Sequence, residues 1–412
     1  MTRSSPPPTQ QAANNRDPTL IPGLPNDVAA VIITLVPYSH HPRLKPTCKS
    51  WRHFLSSQTL INLRQSSPNP KSQSHLLCVF PEDPSISRPY LFDPESPAWC
   101  PLPPLPPNPS LYGLCNFASV SVAQFLYVLG GSHFDARSFP LDRPSASASN
   151  FRFDFATRRW DCLAPMISPR GSFACTAGDG EILVAGGGSR HVVFGAAGSR
   201  TSSAERYDVA RDEWVALDDL PGFRAGCTGF LVRNEDRREF WVMGGYGGSR
   251  TIGGILPIDE YYRDAVVLEL GDDRERRWRE VGNMWGTRER VCLGKVAIVE
   301  GDEFHVPKVF MLENDDIFRY NMDINRWQKE STLPRKGDSS LGFISLKGEL
   351  CVLTSLDGVE SIETRRPRPS DKVGTLLIQI YNPENKSWRT VMTRPPFHHL
   401  DFGTAVLCSI RL

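Results

Sequence analysis

The sequence has almost no net charge, no closely spaced pair of cysteines and no long apolar run. Its 412 residues include 47 Lys or Arg and 46 Asp or Glu, so the net charge of +1 provides no long-range field for a phosphate backbone or anionic lipid. We therefore expect neither nucleic acid nor a membrane surface as a partner. None of the ten cysteines forms a Cys-x-x-Cys arrangement, and several lie in apolar runs, which predicts reduced thiols in the core.

The composition of the amino-terminal segment predicts no secretory signal peptide. Residues 1–19 are rich in Pro, Ser, Thr, Gln and Asn and lack the apolar stretch of a secretory signal peptide. No later apolar run approaches the length of a membrane span. We expect a soluble protein of the cytoplasm, the nucleus or both, with residues 1–19 disordered.

Tryptophan marks a long repeat. Of nine tryptophans, six recur at intervals of 61, 54, 64, 49 and 61 residues, namely Trp99, Trp160, Trp214, Trp278, Trp327 and Trp388. In five of these six units an aromatic residue and then Asp or Asn precede the Trp, as in Phe92-Asp93 and Tyr207-Asp208. The unit at Trp278 has Gly271-Asp272 instead. An aromatic residue that ends one strand, a polar turn and a Trp that begins the next strand predict a hairpin with packed rings.

Short apolar runs stand upstream of each hairpin. Three of them end in glycine pairs, namely Gly130-Gly131, Gly186-Gly187 and Gly244-Gly245. The other three end in Pro81-Glu82, Glu313-Asn314 and Thr354-Ser355. Runs of this length predict strands that are buried on both faces. The glycines predict a close backbone approach where strands crowd a central channel.

The order of strand, glycine pair, long loop, aromatic-Asp and Trp resembles the kelch repeat. This resemblance implies a mainly β fold, a six-bladed β-propeller over residues 75–412. Phe402 to Leu407 look like the first strand of a further unit, whereas the unit that begins at Leu76 lacks such a strand. We therefore expect the carboxy-terminal strand to complete the first blade, which leaves no open sheet edge.

Two short amphipathic segments precede the propeller. Val28, Val31, Ile32 and Leu35 follow helical spacing, and this predicts a helix capped by Asn26 or Asp27 that stops before Pro37. Leu44, Cys48, Trp51 and Leu55 predict a second helical face. A segment of this size cannot bury both faces alone, so it needs a partner.

These segments resemble the F-box, through Leu24-Pro25-Asn26-Asp27 and the later run Leu44-Lys45-Pro46-Thr47-Cys48-Lys49-Ser50-Trp51-Arg52. The resemblance implies docking on a Skp1-like adaptor and, through it, on a cullin. The residues that match the motif, and that would form the contact or the small core beneath it, are Leu24, Pro25, Val28, Ile32, Leu35, Leu44, Cys48 and Trp51. An F-box followed by kelch repeats resembles plant F-box/kelch-repeat proteins.

Pro46 disfavours one continuous helix from Leu44 to Leu55. Inside a helix a proline costs about 3 kcal/mol. It therefore either separates two short helices or weakens the docking surface. We assign residues 20–60 to the F-box and residues 61–74, polar and containing Pro68 and Pro70, to a linker.

The sequence lacks the residues that three kinds of kelch-fold enzyme would need. A copper oxidase needs clustered His and Tyr ligands, but His398 and His399 are the one His cluster of the propeller. An iron-dependent specifier type would need a third ligand after Glu260 and Asp264, where the sequence has Leu268. No hydrolase nucleophile motif is present. We therefore predict no catalytic residue, no metal and no cofactor.

The substrate-binding face is predicted from strand direction. Antiparallel blades bring the loops after the glycine pairs and the loops between blades to one face. Arg170 and Arg224 lie in interblade loops with Arg288 near them on the same face, and these arginines would suit an acidic or phosphorylated segment of a protein. In the alternative interpretation, the arginines of this face solvate loops and bind one another's acids.

The resemblance to F-box/kelch-repeat proteins thus implies the substrate-recognition subunit of an SCF-type (Skp1-cullin-F-box) ubiquitin ligase. A kelch-fold enzyme and an F-box scaffold without ubiquitin transfer are the alternatives.

Overall fold

The computed structural model describes residues 19–67, 73–81, 88–106, 112–135, 145–189, 199–234, 237–252, 256–271, 277–285, 293–301, 306–336, 340–356, 374–397 and 400–412. The chain divides into two compact units, Met1–Gln73 and Ser74–Leu412. The predicted disordered segment lies outside the described residues, except for Thr19. In the described part of the chain, no helix is long and apolar enough to cross a membrane.

The first unit is helical. Its helices are α1 (Asn26–Thr34), a 3-10 helix (Tyr38–His40), α2 (His41–Leu44), α3 (Lys49–Phe54) and α4 (Gln58–Ser66). One small core holds them, formed by Leu20, Ala29, Ala30, Ile33, Phe54, Leu55 and Leu60 with Ile21, Leu44, Trp51 and Leu63 packed against it.

Helix α1 ends before Pro37, as predicted, but its start differs from the prediction. Pro25 is the N-cap residue and makes no side-chain capping bond. The Oδ1 atom of Asn26 instead accepts a hydrogen bond from the Leu20 backbone N–H at 3.0 Å. The predicted cap at Asn26 or Asp27 is therefore wrong, because the amide is used to fold the preceding turn back onto the helix.

Pro46 separates two helices. It lies in the turn between α2 and α3, and Cys48 caps α3 by accepting a bond from the Trp51 backbone N–H at 3.4 Å. The single helical face predicted from Leu44 to Leu55 is therefore wrong. Leu44, Trp51 and Leu55 nevertheless contact the same core.

The predicted linker begins too early, because α4 extends to Ser66. Ser57 caps this helix, and Leu60, Ile61 and Arg64 are buried. The capping serine and the spacing of these three side chains were helix signals hidden among polar residues. Residues 68–72 of the predicted linker lie outside the described residues.

The second unit contains six four-stranded antiparallel sheets, called blades 1 to 6. In order across each sheet, blade 1 consists of Val406–Arg411, His75–Phe80, Tyr90–Asp93 and Ala98–Pro101, and blade 2 of Ala118–Val122, Phe125–Leu129, Asn150–Asp154 and Arg159–Leu163. Blade 3 consists of Ala174–Gly178, Glu181–Ala185, Ala204–Asp208 and Glu213–Leu217, and blade 4 of Thr228–Asn234, Arg237–Met243, Ala265–Glu269 and Trp278–Glu280. Blade 5 consists of Lys295–Val299, Lys308–Glu313, Asp316–Asn321 and Arg326–Thr332, and blade 6 of Leu341–Leu346, Glu349–Leu356, Thr375–Asn382 and Ser387–Thr393.

Among the described residues, two smaller sheets contain strands from the loops after glycine pairs, and the second of these sheets also contains a strand that precedes blade 2. A ribbon pairs Tyr246–Ile252 with Leu256–Tyr261, and a three-stranded sheet contains Tyr112–Cys115, Ser132–Asp135 and Ser145–Ala146. The first strands of all six blades line a common cavity of about 620 Å³. The second unit is therefore the six-bladed β-propeller that the repeat predicted.

The carboxy-terminal strand closes blade 1. Val406–Arg411 pairs antiparallel with His75–Phe80, with Cys408 opposite Cys78. Beyond the strands, Ser74 and Leu412 exchange backbone hydrogen bonds of 2.7 and 2.9 Å. The closing strand begins at Val406, four residues later than the predicted start at Phe402, because residues 402–404 form a turn.

The Trp hairpins form as predicted. In five blades the aromatic residue stands directly across from the Trp, and Phe92 and Trp99, for example, have ring centroids 4.7 Å apart. The indole N–H groups add links that the sequence did not predict. Trp214 donates to the Ala164 carbonyl oxygen of the preceding blade at 3.0 Å, and Trp160 donates likewise to Pro103 at 3.0 Å. These tryptophans therefore hold neighbouring blades together.

The glycine pairs allow a close approach, but not where it was predicted. Gly130 and Gly186 have φ values of 57° and 67°. A Cβ at Gly186 would lie 2.2 Å from the Arg224 carbonyl oxygen, and one at Gly130 would lie 2.5 Å from that of Arg170. The glycines thus admit the interblade loop of the next blade and do not relieve crowding at the channel.

Candidate functional sites

The first unit exposes an apolar face along α1. The exposed fractions are 39% for Leu24, 44% for Val28, 56% for Val31, 43% for Ile32 and 41% for Leu35. The opposite side of α1 already fills the small core through Ala29, Ala30 and Ile33. Because helical spacing places the larger aliphatic residues outside, this face, called the α1 face, has the composition of a protein-binding surface.

The eight predicted adaptor-binding residues divide into two groups. The five residues Leu24, Pro25, Val28, Ile32 and Leu35 are exposed on α1 or directly before or after it, and Cys48 is exposed at the start of α3. Leu44 and Trp51 are half-buried and pack against the small core. The predicted set omitted Val31, although its spacing from Val28 gave the same helical signal as the others.

Trp51 connects α3 to the segment before α1. Its Nε1 atom donates a 2.7 Å hydrogen bond to the Leu20 carbonyl oxygen. Leu20 itself is buried in the small core. This contact holds α3 beside the residues that lead into the α1 face.

A buried polar cluster fixes the end of α1. The guanidinium of Arg64 donates to the Val36 carbonyl oxygen and lies 3.2 Å from His41 Nε2. The same imidazole nitrogen is 3.2 Å from the Val36 oxygen, and the Tyr38 ring packs 5.1 Å from the imidazole. Burial and the Arg64 charge lower the pKa of His41 to about 3, and burial lowers the pKa of Arg64 to about 10. Near neutral pH, His41 is therefore neutral and Arg64 is charged.

The depressed pKa of His41 predicts that acid destabilises the helical unit. The unfolded state binds a proton near pH 6.5 and the folded state does not until about pH 3. The contribution of neutral His41 to the unfolding free energy of the helical unit is thus complete above pH 6.5. It is lost as the pH falls below 6.5, by up to about 1.4 kcal/mol per pH unit. We expect the opening free energy of amides in residues 26–66 to fall between pH 6.5 and 4.5 in hydrogen exchange corrected for intrinsic rates.

Two His variants test the source of this pH dependence. His41→Gln should flatten it, whereas His53→Gln, which changes an exposed side chain, should leave it as in the wild type. Equal slopes for the wild type and His41→Gln would contradict the assignment.

Arg170 is fully buried between two blades. Its guanidinium donates to the carbonyl oxygens of Gly186 (2.8 Å) and Ser203 (2.7 Å), and to the Glu205 carboxylate. The Arg170 carbonyl oxygen accepts a 2.8 Å bond from the Gly131 backbone N–H in blade 2. Arg170 therefore ties blade 2 to blade 3.

Arg224 repeats this arrangement one blade later. It donates to the Gly244 carbonyl oxygen at 3.0 Å and to both carboxylate oxygens of Asp264 at 3.0 and 3.2 Å. Its guanidinium carbon lies 3.9 Å from the centroid of the Tyr262 ring. The Arg224 carbonyl oxygen accepts from the Gly187 backbone N–H at 2.7 Å.

The prediction that Arg170 and Arg224 contact a substrate is therefore wrong. Both guanidinium groups are buried and bind acceptors of their own propeller, so a substrate could reach them only if a blade junction opened. Arg288 lies outside the described residues, and its role stays a prediction.

The interblade loops expose apolar side chains that the sequence reasoning missed. Ile167 and Phe223 are 59% and 56% exposed, close to the buried arginines in the chain. A Cβ at Gly222 would lie 2.9 Å from the Tyr262 hydroxyl, so the loop that carries Phe223 is tightly packed. An exposed aromatic side chain on a fixed loop is suited to bind a protein segment at low entropic cost.

The residues weighed as metal ligands have other surroundings. Asp264 pairs with Arg224, and Glu260 is exposed on the second strand of the ribbon. Within the described ranges, no group of three or more His, Cys, Asp or Glu side chains could hold a metal ion. His398 and His399 lie outside those ranges.

Comparisons with known proteins agree on one family. Residues 169–221, which span blade 3, match the Kelch motif. The F-box/kelch-repeat protein OR23 of Arabidopsis thaliana is 56% identical over 96% of this chain and 92% of its own length. The F-box/kelch-repeat protein SKIP30 of the same plant is 32% identical over 52% of this chain and 59% of its own length. The F-box/kelch-repeat protein At1g16250, also from Arabidopsis thaliana, is 30% identical over 65% of this chain and 63% of its own length. The chain therefore belongs to the F-box/kelch-repeat family.

Proposed function

We propose that this chain is the substrate-recognition subunit of a Skp1-cullin-F-box ubiquitin ligase. The exposed α1 face of the helical unit is the observation that carries the proposal, because five large aliphatic side chains face solvent on a domain whose core is already filled. An apolar patch on a small helical unit is the surface that an adaptor would cover.

In this proposal the chain has no catalytic group of its own. The helical unit binds a Skp1-like adaptor and through it a cullin, and the propeller binds a protein to be ubiquitinated. Ile167 and Phe223 are the side chains that support a substrate surface on the face with the interblade loops. The complex would act in the cytoplasm, the nucleus or both.

Degradation of a captured protein tests the function. Val28→Ser/Ile32→Ser removes two side chains of the α1 face and leaves the propeller intact, so it should act as a trap that binds substrates without an adaptor. Proteins captured by this double variant are identified, and their half-lives are then measured in plant cells that express either the wild type or the variant. We expect shorter half-lives with the wild type.

Two other outcomes separate the alternatives. Equal half-lives, with adaptor binding by the wild type, would indicate a scaffold that does not transfer ubiquitin. Equal half-lives without adaptor binding would contradict the proposal altogether.

A further inference from the structure

Charge is distributed very unevenly between the two units. Residues 1–73 contain eight Lys or Arg and two Asp, a net charge of +6. Subtraction from 47 basic and 46 acidic residues leaves 39 and 44 for residues 74–412, a net charge of −5. The overall charge of +1 therefore conceals a basic helical unit and an acidic propeller. The positive field of the helical unit acts locally on a charged partner that approaches this unit.

Part of this positive charge is exposed on α2 and α3. Arg43, Lys49 and Arg52 are exposed there, whereas Arg64 is buried. Asp27 is the one carboxylate between residues 19 and 67. In that stretch the structure contains no ion pair for the three exposed cations. These three residues, called the basic rim, are thus not neutralised by the unit that carries them.

The basic rim belongs to the same small body as the α1 face. Trp51 is adjacent to Arg52 and holds α3 against Leu20, four residues before Leu24. Both features are therefore presented by helices that share one core. An incoming partner meets apolar side chains together with uncompensated positive charge.

We propose that the helical unit takes a protein adaptor whose apolar groove is bordered by carboxylates, and that the basic rim accelerates their encounter. This inference rests on the proposed function and names the surface chemistry of its adaptor. Complementary charge at the edge of an interface acts mainly on the association rate and its salt dependence, whereas the apolar centre sets the dissociation rate.

Two other anionic partners fit less well. A nucleic acid would be bound through phosphate contacts and would leave the aliphatic side chains of the α1 face in water. Helices that lie on anionic membranes carry Lys or Arg on their own polar side. Helix α1 has none, and its opposite side is buried against the small core. A protein groove covers both features at once.

Association kinetics of the full chain with a recombinant plant Skp1-like adaptor test the proposal. Stopped-flow rates are measured from 25 to 400 mM NaCl for the wild type and for Arg43→Glu/Lys49→Glu/Arg52→Glu. The reversal variant should associate about ten- to a hundredfold more slowly at low salt, with its salt dependence lost or inverted and its dissociation rate within about twofold of the wild type. The neutral variant Arg43→Gln/Lys49→Gln/Arg52→Gln should lie between the two.

A matched control reverses three exposed cations of the propeller. Arg211, Arg237 and Lys336 have side chains that are 76%, 65% and 79% exposed. Their triple Glu variant changes the net charge by the same amount and should leave the association rate within about twofold of the wild type. A slowing equal to that of the rim variant would overturn the local role of the basic rim.

The remaining outcomes distinguish this inference from the proposed function. If the wild type and the rim variant bind the adaptor with equal association rates, the basic rim does not accelerate the encounter, and the proposed function is unaffected. No adaptor binding by the wild type would overturn both. Charge-dependent binding of the wild type to phosphatidylserine vesicles or to double-stranded DNA, without adaptor binding, would replace the protein partner by that ligand.

Discussion

Replacing Arg170 by Met is expected to lower the free energy of unfolding of the propeller by about 3–5 kcal/mol. The substitution keeps much of the side-chain volume but removes the charge between blades 2 and 3. It leaves the Glu205 carboxylate buried with only the backbone N–H groups of Ile167 (2.8 Å) and Ser168 (3.0 Å) as partners. It also leaves the carbonyl oxygens of Gly186 and Ser203 without a donor that the wild type supplies.

A second substitution, Glu205→Gln, separates the effect of the buried charge between blades 2 and 3 from the effect of packing. In Arg170→Met/Glu205→Gln no buried charge is left without a counterion, so the loss should be smaller than in Arg170→Met alone. Arg211→Met, which removes a side chain that is 76% exposed, should change the unfolding free energy by less than about 1 kcal/mol. Urea unfolding of the full chain measures these changes in unfolding free energy. If Arg170→Met unfolds at the same urea concentration as the wild type, the buried arginine has no structural role.

The double variant Val28→Ser/Ile32→Ser is expected to weaken adaptor binding by at least about tenfold. Complete burial of one such aliphatic side chain contributes about 1.5–3 kcal/mol, and since 43–44% of each side chain remains exposed in the free chain, the two substitutions together should cost about 1.3–2.6 kcal/mol of binding free energy. Both residues lie on the α1 face at i and i+4 and neither belongs to the small core, so the substitutions should leave the melting temperature of the free chain nearly unchanged. Binding and folding therefore respond separately at this surface.

A matched variant of the propeller controls for general surface effects. Val215→Ser/Met392→Ser changes two apolar side chains that are 45% and 59% exposed on the outer strands of blades 3 and 6. It should leave adaptor binding as in the wild type. A similar loss in both double variants would mean that the α1 face has no special role.

The sequence predicted the propeller because its signals are local. The aromatic residue, the turn and the Trp lie within eight positions, so Phe92 and Trp99 meet through hairpin geometry alone. The partner of the carboxy-terminal strand was found for another reason. The unit at Leu76 lacked a first strand and the chain ended with one, and a closed ring admits a single pairing of the two.

The functions of the arginines could not be predicted in this way. Arg170 meets Glu205 across 35 positions, and a lone arginine in a loop gives no sign of the direction of its side chain. A clue was present in the repeat itself. Arg170 and Arg224 occupy the same place in successive interblade loops, and an acid stands near the start of each following third strand, as Glu205 and Asp264. Repetition of a charged pair in register indicates packing rather than recognition.

The sequence predicted that the first unit is helical, but it did not predict the details of the helices. Helical spacing identified the apolar residues of α1, yet it could not tell whether they would face a core or solvent, and the structure places them outside. The N-cap was assigned to the wrong residue because Asn26 bonds backward to Leu20. The net charge of +1 argues only against nucleic acid and membrane surfaces as partners, and it hides the basic rim because opposite charges on the two units cancel in the sum.

A calorimetric titration of the full chain with a Skp1-like adaptor measures whether the adaptor binds through the α1 face. The wild type and Val28→Ser/Ile32→Ser are titrated at the same salt concentration, and the melting temperature of each is measured in parallel. We expect one adaptor per chain for the wild type, binding weakened at least about tenfold for the variant, and nearly equal melting temperatures. Equal affinities for the two proteins, or no binding by the wild type, would contradict it.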